Sequence, residues 1–198
     1  MAVVSANNNS LSAITALPTA VSGGALNLIS TSTASSSSTL SITSGIDSTY
    51  KEYMFKFINI HPAEAEHFTF QASTNGGTSY GVTLTSTYFH ATHDEGDSST
   101  ALAYVAGKDL AQSTSYLRLA DSLSTSADES TSGTLHLFDP SNTTHIKHFI
   151  SRSSVAATGA KDGFIAGYFN TTSAINAIQF KMSSGNIDSG VIKLYGVS

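Results

Sequence analysis

The chain has 198 residues, no cysteine, no tryptophan and a net charge of −5, and charged side chains make up only 12% of it. Without cysteine there is no disulfide framework, thiolate nucleophile or cysteine-ligated zinc. Mild acidity argues against nucleic acid as the main partner, since phosphate binding needs clustered Lys and Arg, and no apolar run reaches the roughly 18 residues of a membrane-spanning helix. Hydroxyls replace the missing charge: Ser and Thr together fill 58 positions.

Residues 1–44 contain no Lys, Arg, Asp or Glu. The start, Met1-Ala2-Val3-Val4-Ser5, has no basic region followed by an apolar one, so no signal peptide is expected. The run from Ser30 to Thr39 is almost all hydroxyl and can bury little apolar surface. Residues 1–43 are therefore predicted to form an N-terminal arm, ahead of a folded domain at 44–198. Two islands in the arm, Leu26 to Ile29 and Leu40 to Ile42, are short and alternating enough for edge strands. An uncharged arm can lie along a neighbour without desolvating charge, so Leu26, Leu28 and Ile29 are the expected attachment residues.

From Tyr50 onward strand signals recur. Tyr50 to Ile60 puts Tyr53, Phe55 and Phe57 on one face, with Met54, Lys56 and Ile58 on a mixed opposite face. Pro62 lacks the N–H to continue a ladder. His67 to Ala72 alternates strictly and runs into Asn75-Gly76-Gly77, a hairpin-turn signal. Further strands are expected at Tyr80 to His90, Thr100 to Val105, Thr131 to Phe138, His145 to Ile150, Phe164 to Phe169, Ile175 to Met182 and Val191 to Tyr195. Helical signals stop at single turns near Pro62 to Glu66 and Ser124 to Glu129, far below an independent helix. The predicted fold is all-β, a jelly-roll-like antiparallel β-sandwich.

Chemistry-bearing patterns are sparse. His90-Ala91-Thr92-His93-Asp94-Glu95 offers metal-type ligands, but at a strand-to-loop junction residues i and i+3 do not share a face. His145 and His148 likewise differ in parity. No G-x-S-x-G elbow exists, and the carboxylates sit mostly in loops. Neither a catalytic residue, a metal site nor a cofactor is expected. A glycan-binding alternative would use Tyr88, His90, His93 and Tyr116, since sugar sites on sandwiches pair exposed aromatics with polar groups.

The segments Ser44-Gly45-Ile46-Asp47-Ser48-Thr49-Tyr50-Lys51-Glu52-Tyr53 and Phe57-Ile58-Asn59-Ile60-His61-Pro62 resemble a family of small structural proteins of tailed, often marine, bacteriophages. So do Ser132 to Ser141 with Lys147-His148-Phe149, Gly167 to Thr172, and Phe180 to Ile187 with Gly190 to Gly196. The resemblance covers about residues 44–196 and carries over no catalytic or binding residue. It implies a non-enzymatic virion component, either a capsid decoration or cement protein or a head or tail appendage. Such a protein would be assembled in the host bacterial cytoplasm, with the major capsid or a tail protein as partner and no nucleic acid or membrane. A homo-trimer is the expected oligomer, and the glycan alternative becomes host-surface recognition by a tail fibre or spike.

Overall fold

The computed structural model describes residues 25–198, and among them there are twelve strands and no helix. In chain order they are β1 (Leu26–Ser37), β2 (Leu40–Ile42), β3 (Glu52–Pro62), β4 (Phe68–Ser73), β5 (Leu84–Asp94), β6 (Thr100–Tyr104), β7 (Leu117–Ala120), β8 (Thr131–Phe138), β9 (Lys147–Ala156), β10 (Gly159–Phe169), β11 (Ala177–Met182) and β12 (Ile187–Val197). They form two antiparallel sheets, β1-β12-β3-β8-β9-β10-β5-β6 and β2-β11-β4-β7. The alternation therefore does specify an all-β sandwich, divided eight and four. Every strand of the small sheet is followed and preceded in sequence by strands of the large one, so the chain crosses repeatedly between layers.

Period-two alternation decides which side chains meet between the sheets. On β9, Lys147, Phe149, Ser151, Ser153 and Val155 point inward, while His148, Ile150, Arg152, Ser154 and Ala156 are exposed. On β3, Tyr53, Phe55 and Phe57 are fully buried, as the pattern predicts. Phe70 of β4 is the hub of the core: its ring meets Phe149 and Phe169 edge-on at 5.4 and 6.0 Å, and lies beside Phe180 at 6.4 Å. Phe68 stacks on Phe180 at 5.7 Å, with Phe55 and Phe57 packed around them. Each such ring contributes about 2–3 kcal/mol of burial.

Several expectations are corrected. Asn75-Gly76-Gly77 does turn, with Gly76 and Gly77 at φ 70° and 86°. It joins β4 to β5, however, which lie in different sheets, so it is an inter-sheet corner and not a hairpin. The single helical turns near Pro62 and Ser124 are bends and a turn.

The largest revision concerns the arm. Residues 1–24 lie outside the described residues, but the rest of the predicted arm is built into the sandwich. β1 pairs with β12 along almost its whole length, and β2 pairs with β11. Both islands are edge strands, as expected, and the Ser/Thr run between them extends β1 to Ser37. A boundary at residue 43 therefore cuts through both sheets. Hydroxyl side chains are compatible with this because an edge strand is held by backbone ladder bonds, with little side-chain burial required.

Candidate functional site

The residues singled out from the sequence do not converge. Tyr88 is fully buried on the inner face of β5, so it cannot touch a glycan; burial pushes its hydroxyl pKa up. His90 is half-buried on the same face, its ring edge-on to Tyr88 at 6.1 Å. His93 is exposed on the opposite face, with Nε2 3.0 Å from Asp97 Oδ1. Tyr116 belongs with the other sheet, where its hydroxyl donates to Gln179 and Lys181 lies over its ring at 4.3 Å. No single surface collects these four groups.

The metal pattern dissolves for the same reason. His90 and His93 occupy opposite faces of β5, and Asp94 is committed to the β5–β6 turn. Its Oδ1 accepts from the Ser98 and Ser99 backbone N–H groups at 2.9 and 2.7 Å, and the Ser98 hydroxyl bond to its carboxylate, followed by these backbone bonds, holds its pKa down. Among the described residues no group of three His, Asp or Glu could hold a metal ion.

One polar cluster was invisible in the sequence. The Asp121 carboxylate is buried and meets the ammonium of Lys108, that of Lys161 at 3.4 Å and the Arg118 guanidinium at 3.4 Å. Three of the nine cations in the chain thus surround one carboxylate. Burial alone would raise the Asp121 pKa, but hydrogen bonds from Lys108 and Ser122 and the charges of Lys108 and Lys161 outweigh it and bring it to about 2. His67 Nδ1 accepts the Ser122 N–H at 3.1 Å and lies 3.2 Å from Asp121. Burial first, and then the charge of Arg118, lowers the His67 pKa. The arrangement clamps the chain leaving β7 onto β10 and the segment after β6, a structural role. Its members are separated by up to 94 residues, from His67 to Lys161, and carry no motif.

The sheet edges differ most at β1. Of the four edge strands among the described residues, β2, β6 and β7 have three, five and four residues, whereas β1 has twelve. It contains neither a charged residue nor a proline, the usual guards against edge pairing. Leu26 and Leu28 are exposed at 40% and 56%. Ile29, the extra residue of a bulge between Leu28 and Ser30, is partly buried against the core. It reaches into the space left by Gly45, where a Cβ would stand 2.5 Å from Ile29 Cγ2 and φ is +81°. Of the three expected attachment residues, two are therefore available to a neighbour and one anchors the strand. From Ser30 to Ser35 the register with β12 is unbroken.

Neither a protein-family model nor a curated protein matches this chain.

Proposed function

We propose that this is a non-enzymatic structural subunit of a bacteriophage particle, attached through β1, the outermost described strand of the large sheet. The carrying observation is the contrast between one twelve-residue edge without charge or proline and three edges of five residues or fewer. A twelve-residue edge guarded only by the bulge at Ile29 is costly for an isolated monomer, because strand edges invite pairing with another strand. It suits a protein whose working state has a neighbour there, by strand addition with Leu26 and Leu28 covering apolar surface beside it. The resemblance of residues 44–196 to phage structural proteins supplies the particle, and an antiparallel β-sandwich is compatible with that setting. In this reading the subunit decorates or cements the head or belongs to an appendage, with the capsid or a tail protein as partner.

The test is a cryo-electron microscopy map of virions made with wild-type chain and with Thr31→Lys/Thr33→Lys, two exposed β1 positions. Both sheets should be visible on the wild-type particle and missing from the variant. Absence of the wild-type chain from virions overturns the particle reading; full occupancy by the variant overturns the β1 attachment.

A further inference from the structure

All seven exposed large hydrophobic side chains among the described residues lie on the outer face of the eight-stranded sheet, as their registers show. Four of them, Phe89 (39%), Leu102 (76%), Tyr104 (57%) and Ile150 (52%), fall on the β9-β10-β5-β6 half. There the register aligns Arg152, Phe164, Phe89 and Tyr104 in one row across four strands. The row is a stack of plates. The Arg152 guanidinium lies over the Phe164 ring at 4.8 Å, and Phe164 is parallel to Phe89 within 3° at 4.9 Å. That spacing is the distance between neighbouring strands, so the rings stand on edge and present C–H rims outward. Sugars stack on ring faces; rims suit a close-packed protein groove.

Troughs floored by small residues flank this ridge. One, of about 510 Å³, runs over Ala91, Gly133 and Ala160; the other, of about 460 Å³, runs over Ala166 between Ile150 and Tyr168. We infer that this face binds a second copy of the same chain through a twofold contact, each ridge seated in the Ala166 trough of its partner. A twofold interface must be self-complementary, and an axis passing between Phe164 and Ala166 on β10 brings Phe164 of each copy over the Ala166 trough of the other, with Ile150 at the end of that trough. Charge agrees. Arg152 and Asp162 neutralise each other through two hydrogen bonds, at 3.0 and 2.6 Å. The cross-strand pair Lys56 and Lys193, which would repel its own copy, lies three strands from β10, outside the contact. With β8, which borders the first trough at Gly133, the five strands at about 4.8 Å and an average of nine residues at about 3.3 Å give a face of roughly 700 Å², somewhat below the roughly 800 Å² per partner of a standard interface. Face-to-face stacking of sheets is also how the molecule packs its own interior.

The contact predicts even-numbered assemblies, in place of the trimer expected from the sequence, and it stands whether or not β1 attaches the subunit to a particle. Sedimentation equilibrium of the full chain should give twice the 20.6 kDa monomer mass. Ile150→Glu and Ala166→Arg, both at exposed positions, should each weaken the dimer by at least about tenfold with unchanged circular dichroism, while Thr33→Lys on β1 leaves it intact. A monomeric or trimeric wild type overturns the inference. So does a dimer that both outer-face variants leave undisturbed, or one that Thr33→Lys dissociates.

Discussion

The Asp121 carboxylate lies 3.4 Å from the Lys161 ammonium that β10 sends across to it, which joins the end of β7 to the large sheet. Because Lys108 and Arg118 share the same carboxylate, Asp121→Asn leaves three cations without their common counter-ion. Breaking a buried pair from one side is costly, and the variant should lose about 3 kcal/mol in urea unfolding. The wild type carries its own check. With the folded pKa at about 2 against an ordinary 3.8, ionised Asp121 contributes stability above pH 3.8 that is lost as the pH falls toward 2. Acid titration of the variant should lack that component.

His67 makes the complementary prediction. Its folded pKa is lowered from 6.5 by burial and by Arg118, so the folded protein resists a proton that the unfolded chain accepts. The sign follows: this contribution is intact above pH 6.5 and declines as the pH drops toward the folded pKa. Protonation would also remove the acceptor used by the Ser122 N–H. His67→Gln should flatten the stability profile as the pH falls below 6.5, measured by urea midpoints.

A chain beginning at Ser44 should not fold as an independent domain. Truncation removes β1 and β2, and with them buried Ala34, Leu40 and Ile42, and it uncovers β12 and β11 as new edges. Losing two large core side chains costs about 2–5 kcal/mol each, against a total stability of about 5–15 kcal/mol for an ordinary domain. Circular dichroism and thermal melts should show no cooperative transition at 25 °C.

Gly167 on β10 is a packing glycine. A Cβ there would stand 2.5 Å from both the Phe149 ring and the Thr85 carbonyl oxygen. Neither can retreat easily, since one is a core ring and the other belongs to the neighbouring strand. Gly167→Ala should cost about 2 kcal/mol by overpacking, read as a lower thermal midpoint.

Most strands were legible because inward positions are large and apolar, as Tyr53, Phe55 and Phe57 show. The ends of β9 and β10 were not: Ser151 and Ser153 are buried polar residues, and Ser151 is admitted to the interior by a bond from its hydroxyl to the Thr134 carbonyl at 2.7 Å. β7, four residues long, is too brief to announce itself. β1 was read as an arm because its hydroxyl-rich sequence buries so little; its order comes from the ladder with β12, some 160 residues away. The candidate surfaces divide in the same way. Exposure of Leu26 and Leu28 followed from local pattern, whereas the row of Arg152, Phe164, Phe89 and Tyr104 exists only through the register of four strands.

The pairing of the first described strand with the last has a consequence for biosynthesis. At about 5–20 residues per second, the 150 residues from Ser37 to Ile187 take roughly 8–30 s to synthesise, so the large sheet cannot close until that long after β1 is made. The small sheet waits as well, since β11 joins β2 to β4. Until then β1 lacks the strand that it pairs with in the folded chain. The topology thus holds the first described strand open until the last one has been made.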